Sequence, residues 1–231
     1  SSLLLTLLLL VACGSAAAPQ DRQPDSVPEP VAANLNVPET CQQATDSGQA
    51  PVKVELLSSI YVGWMPNQYA DEQGIFEKWG TACNVEINFR MATDYIASIE
   101  AYVAGQVDGV TMTNMEALNF AAIAGVDTTA VINGDTSHGN DAVITRDGLG
   151  LCDLAGHKVY LVELSVSHYT LARGFEKQCP GVTESDVTLI NTSDSDIGPA
   201  FLSSDSQKAV VTWNPIKLEI LGQDKGAQSI F

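Results

Sequence analysis

The side chains of this 231-residue chain that could do chemistry are three histidines, five cysteines and a surplus of carboxylates. His138, His157 and His168 stand far apart, without metal-ligand spacing and with no CxxC or Cys/His cluster beside them, so neither a metal nor a cofactor is expected. A nucleophile paired with a base is equally hard to assemble from them, which argues against an enzyme. What stands out is a series of polar and aromatic residues, each just after a β-type run. They are Trp64 and Asn67, Thr113 and Asn114, Asp135 with Asp141 near the crossover, Glu163, Ser165, Ser167 and His168, the segment Asn191 to Asp194, and Trp213 and Asn214. Hydroxyls, amides, carboxylates and indole rings converging on one crevice suit a small solute held by hydrogen bonds and stacking. Ser165, Ser167, Asn114 and Asn214 would serve equally well as helix N-caps.

The elements that must position these residues alternate. VKVELLSSIY (Val52 to Tyr61) reads as a strand, Pro66 opens a helix to about Trp79, and VEINF follows from Val85. Tyr95, Ile96, Ile99, Tyr102 and Val103 share one helical face; GVTMT (Gly109 to Thr113) is a strand, Met115 to Ala124 a helix and TTAVIN (Thr128 to Asn133) a fourth strand. After His138, Gly139 and Asn140 a second series begins: DAVIT, KVYLVEL (Lys158 to Leu164), the helix SHYTLARGFEKQC, VTLIN, a short helix near Ile197 to Leu202, and AVVTW. Strands alternating with helices indicate parallel sheets with right-handed crossovers, and ligands bind beyond the carboxyl ends of such strands. Residues 52–138 and 139–231 are expected to form two lobes, with Gly139 and Asn140 at the crossing.

Ahead of the lobes, Leu3 to Val11 is apolar except for Thr6 and ends in Ala12, Cys13, Gly14 and Ser15. It is too short to span a bilayer, which takes about 20 apolar residues, and has the form of a secretory h-region. LVAC (Leu10 to Cys13) resembles the lipobox of bacterial lipoproteins, implying cleavage before Cys13 and a lipid anchor on its sulfur. Residues 1–13 are thus expected to be a signal-peptide remnant. Residues 14–51, with Pro19, Pro24, Pro28, Pro30, Pro38 and Pro51, read as a flexible tether.

A net charge of −17 argues against nucleic acid as a partner, because phosphates require Lys and Arg. With Cys13 lipidated, Cys41, Cys83, Cys152 and Cys179 form an even set in an exported protein, open to three pairings. A strand rises toward the ligand end and the following helix descends, so Cys152 and Cys179 share the opposite pole. The same tracing brings Cys41 to Cys83. Bridges Cys152–Cys179 and Cys41–Cys83 are expected, remote from the crevice.

From Val52 to Phe231 the sequence resembles the nitrate, sulfonate and taurine group of ABC-transporter binding proteins. The strings YVGWMPNQYADEQGIFEKW, YIASIEAYVAGQVDGVTMTNMEAL, NGDTSHGNDAVI, LVELSVSHYTLARGF and VVTWNPI are most similar to urea-carboxylase-associated urea-importer proteins. The resemblance implies an α/β, two-lobed type II periplasmic binding protein fold, each lobe a mostly parallel sheet flanked by helices. It implies a cleft that closes on a small solute, a permease and its ATPase as partners, and a monomer in the periplasm. Only GQDKGAQSIF follows NPIKLEIL, so the C-terminal part of that fold is expected to be missing.

Anion-binding relatives hold a sulfonate or nitrate at helix N-termini and hydroxyls, where Ser165, Ser167 and His168 fall. Glu163, Asp135 and Asp141 would repel an anion, whereas with Trp64 and Trp213 they suit a planar donor such as urea or guanidinium. A sulfonate, taurine or nitrate is the alternative ligand. The pyrimidine-synthesising branch of the fold depends on a Cys-rich motif that does not occur near His168.

Overall fold

The computed structural model describes residues 37–231; the expected signal remnant with Cys13, and the expected tether up to residue 36, lie outside the described residues. Two sheets carry the fold. The first has the order β2-β1-β3, in which β1 (Val52–Ser58) pairs in parallel with β2 (Val85–Met91), from Val52 opposite Val85 to Ser58 opposite Met91, and with β3 (Gly109–Val110). Two helices, α2 (Met65–Glu72) and α3 (Ile75–Cys83), connect β1 to β2, and α4 (Tyr95–Val103) connects β2 to β3. The one helix expected from Pro66 to Trp79 is broken at Gly74, whose φ of 64° is the left-handed conformation that ends a helix.

Past β3 the expected helix is α5 (Asn114–Glu116), running on as a π-helical segment Ala117–Ala122. TTAVIN forms no strand: Val131 and Ile132 are 87% and 76% exposed. β-branched residues favour a strand only where a ladder awaits them, and among the described residues none pairs with this segment.

The second sheet has the order β6-β5-β7-β4-β8. Its strands are β4 (Ala142–Thr145), β5 (Lys158–Leu161), β6 (Thr188–Asn191), β7 (Ala209–Thr212) and β8 (Gln228–Ser229). Parallel pairing holds through β6, β5 and β7, while β4 runs antiparallel to β7 and to β8. Helices α6 (Val166–Gln178), α7 (Asp194–Ser203) and α8 (Ile216–Gln223) cover it. Alternate residues of β4 point to opposite faces, so Val143 packs with Leu171 and Phe175 on one side and Ile144 with Ile197, Phe201 and Ile216 on the other.

Arg146, at the end of β4, is buried with every nitrogen engaged. It pairs with Asp224, donates to the carbonyls of Phe201, Ser204 and Gln207, and stacks 3.9 Å from the Phe201 ring centroid.

Cys41 is bonded to Cys83 and Cys152 to Cys179, with Cα separations of 4.0 and 5.2 Å. The first bridge fastens a helix, α1 (Glu39–Asp46), within the stretch expected to be a tether. That helix buries no residue and adds only two hydrogen bonds to α3 and its cap, Thr45 Oγ1 to the Ala82 carbonyl and Asn84 Nδ2 to the Ala44 carbonyl.

Candidate functional site

The carboxyl ends of the two sheets meet at an aromatic cluster. Tyr61 and Trp64 follow β1, Tyr95 opens α4, and Trp213 follows β7. The Tyr61–Trp64, Trp64–Tyr95 and Tyr95–Trp213 ring centroids are 4.9, 5.5 and 5.9 Å apart. Tyr61, Tyr95 and Ile99 from the first sheet and Val162 and Trp213 from the second form one buried cluster, with Trp64 packed against it. Trp213 Nε1 donates to the Ile60 carbonyl at 2.6 Å, fixing the indole across the junction.

A polar network borders the rings. Tyr61 Oη donates to Asp135 Oδ2 (3.0 Å), Asn140 Nδ2 donates to Tyr61 Oη (2.9 Å), and Asn214 Nδ2 donates to Asn140 Oδ1 (3.1 Å). Burial, reinforced by the Asp135 carboxylate, pushes the Tyr61 phenol up to about 12, so it stays a donor. A Cβ on Gly63 would lie 2.4 Å from the Asp135 Cβ, so only glycine admits this approach.

Two buried carboxylates link the sheets. Glu116 Oε1 accepts the amide of Val166, the first residue of α6, at 2.9 Å, and its Oε2 accepts the Thr113 hydroxyl. Asp194, the first residue of α7, accepts at Oδ1 the amide of Tyr95, the first residue of α4, at 3.0 Å. Each helix N-terminus thus meets a carboxylate from the opposite sheet, where the helix dipole favours negative charge. Burial lifts the Asp194 carboxyl from 3.8 to about 6 even though the Tyr95 and Ile60 amides favour its anion.

The residues singled out by sequence are distributed unevenly around this junction. Trp64, Thr113, Asp135, Trp213 and Asn214 belong to the cluster and its networks. Ser165 is buried as the N-cap of α6, donating to the Val162 carbonyl and accepting from Ser167 N. His168 faces its own segment, its Nδ1 accepting the Leu164 amide and its Nε2 paired with Glu184. Asp141, held by Ser137, has its pKa raised by burial. Asn67 is half-buried in α2, Asn114 is exposed, and Glu163 is half-buried with its amide on Asn191 Oδ1.

Sequence reasoning passed over Tyr61, Ser59, Tyr95 and Glu116. Tyr61 reads as the last residue of a strand and Tyr95 as one member of a helical face, and a lone Glu in a helical run gives no signal of burial. Five buried side-chain atoms at the ends of elements meeting here have no protein partner: Ser59 Oγ, Ser167 Oγ, Asp194 Oδ2, Thr212 Oγ1 and Asn214 Oδ1. Buried polar atoms are nearly always partnered by protein or by ordered water, so these five are the acceptors and donors left at the junction for water or a solute.

Two open grooves lie away from the junction. One of about 500 Å³, between the π-helical segment and α6, has apolar walls of Met115, Phe120, Ile123 and Leu164, and its His168 and Glu184 are paired with each other. Another, of about 460 Å³, sits over α3 and β2. Among the described residues, no group of three or more His, Cys, Asp or Glu could hold a metal ion, and no helix is long and apolar enough to cross a membrane.

No family model matches the chain, and no curated protein matches it. Solved structures do. The periplasmic aliphatic sulphonate-binding protein SsuA from Escherichia coli aligns with a TM-score of 0.59 at 22% identity over 78% of this chain and 60% of its own. The ligand-binding component of an ABC-type import system from Staphylococcus aureus, with zinc bound, aligns at 0.60 and 11% identity over 78% and 60%. The periplasmic nitrate-binding protein NrtA from Synechocystis aligns at 0.54 and 13% identity over 79% and 52%. The chain therefore spans 60% or less of the length of these proteins. Over that span it has the two-sheet α/β fold of the periplasmic binding proteins.

Proposed function

We propose that the protein is the substrate-binding component of a bacterial ABC importer, without catalytic activity. It captures a small nitrogen compound, urea-like or guanidinium-like, between the two sheets and presents it to a permease driven by an ATPase. In this reading it is a monomer in the periplasm, held to a membrane by lipid on Cys13, with residues 52–138 and 139–231 as lobes that close on the ligand.

The observation that carries the reading is the reciprocal placement of Glu116 and Asp194. The sulphonate-binding SsuA and the nitrate-binding NrtA take anions. Here the N-termini of α6 and α4 already face the protein's own carboxylates. What remains for a ligand is aromatic surface and acceptors, which suit a planar hydrogen-bond donor. The second reading, a sulfonate or nitrate ligand, is supported by the likeness to SsuA and NrtA alone.

Calorimetric titration of the protein with guanidinium, urea, taurine and nitrate tests the proposal. Saturable binding of guanidinium or urea supports it, and binding of taurine or nitrate alone transfers support to the second reading. Turnover of any panel member would refute a purely binding role.

A further inference from the structure

Asp194 sits where both sheets meet, and its protein partners leave one of its oxygens without a donor. Oδ1 holds the Tyr95 amide, whereas Oδ2, in a residue 1% exposed, has no partner. Ile60 ties the surroundings together, its carbonyl receiving Trp213 Nε1 across the junction. Ser59, one residue earlier, is fully buried with its Oγ unpartnered. Among the described residues no Lys, Arg or His forms an ion pair with Asp194 or with Glu116. A buried carboxylate without a counter-charge is costly, and proteins ordinarily pair or neutralise it.

We propose that Asp194 is the ligand-selecting residue of the junction, its Oδ2 receiving an N–H group of a small cation while its Oδ1 holds Tyr95, with Ser59 Oγ as a second acceptor for the same cation. The inference rests on the binding-protein reading above and deepens it, because it assigns the ligand a positive charge. A neutral amide such as urea would satisfy the free lone pair and leave the charge uncompensated. An anion would meet two carboxylates already seated on the helix N-termini it requires. Because one carboxylate serves both ligand and Tyr95, recognition and the joining of the sheets share a residue.

The test compares guanidinium and urea, which share shape and differ in charge, by calorimetry on the wild-type protein and on the Asp194→Asn and Ser59→Ala variants. Thermal unfolding of each variant verifies folding. Asp194→Asn is expected to weaken guanidinium binding by about 10- to 150-fold, the range for a hydrogen bond to a charged group, with little change for urea. Ser59→Ala keeps the charge and is expected to weaken both ligands by about 3- to 10-fold, as for a neutral hydrogen bond. Guanidinium affinity unchanged in both variants, or wild-type protein that takes urea and refuses guanidinium, overturns the inference and leaves the binding-protein reading standing. Binding of taurine or nitrate alone, or of nothing in the panel by folded protein, overturns both.

Discussion

Glu116 Oε1 and the amide nitrogen of Val166 are 2.9 Å apart, so a fully buried carboxylate beyond β3 caps the N-terminus of the helix that follows β5. Asp194 and Tyr95 repeat the arrangement in the opposite direction at 3.0 Å. Each carboxylate gains a charge-assisted bond and a favourable helix dipole, against the cost of leaving water.

Replacing Glu116 with alanine leaves the Val166 amide and the Thr113 hydroxyl buried without it. A loss of about 2–4 kcal/mol is expected, from the unsatisfied donors and the space left behind. Glu116→Gln keeps an acceptor and should cost about 1 kcal/mol. Urea-denaturation midpoints of the two variants, at unchanged slope, measure the difference.

Asp194 makes stability depend on pH in an unusual direction. Its carboxyl titrates at about 6 in the fold against 3.8 ordinarily, so the folded state binds the proton more tightly than the unfolded chain. The resulting stabilisation is complete below pH 3.8 and lost as pH rises through 6. Asp194→Asn, which cannot ionise, should therefore exceed the ligand-free wild type by on the order of 2 kcal/mol above pH 7, and the two should converge near pH 4. Paired denaturation curves at both ends of that range cancel the contribution of all other carboxylates.

The two disulfides should differ in what they stabilise. Chain entropy alone assigns about 3.5 kcal/mol to Cys152–Cys179, with a separation of 27 residues, and about 4 kcal/mol to Cys41–Cys83, with 42. Cys179 lies in the core cluster with Leu171 and Phe175, so the full loss is expected for Cys152→Ala/Cys179→Ala. Helix α1 buries nothing, so Cys41→Ala/Cys83→Ala should release it locally and cost the whole under about 1 kcal/mol. Hydrogen exchange of residues 39–46, read beside global unfolding, separates the two outcomes.

Arg146→Met should cost about 3–5 kcal/mol, because it strips Asp224 of its counter-charge and leaves three carbonyls without their donor. The same ion pair holds the Asp224 carboxyl below the usual range. Raising that pKa toward its ordinary value in the variant, followed by NMR titration, reports the broken pair directly.

Strand and helix order was legible because apolar runs such as AVIT and AVVT become fully buried strands and SHYTLARGFEKQ a helix with one apolar face. TTAVIN carries the same local signal, but pairing is a property of the neighbour and cannot be read from one segment. At the junction, Trp64 and Trp213 were marked by residue type and by their place after a strand. Glu116 was not, because its role depends on Val166, fifty positions away. Ser165 shows the converse: its position after a strand suggested ligand contact, and its hydroxyl instead caps the helix it precedes.

The covalent cross-links partition the chain unevenly. Cys41–Cys83 lies wholly among the elements of the first sheet and Cys152–Cys179 wholly among those of the second. Among the described residues, the sheets are joined by the chain itself and by the contacts of Glu116, Asp194, Trp213, Asn140 and Asn214. Reductants would therefore loosen each half internally and leave the contacts between the halves intact. Those contacts are hydrogen bonds and ring packing, so a redox change in the surroundings has no direct lever on them.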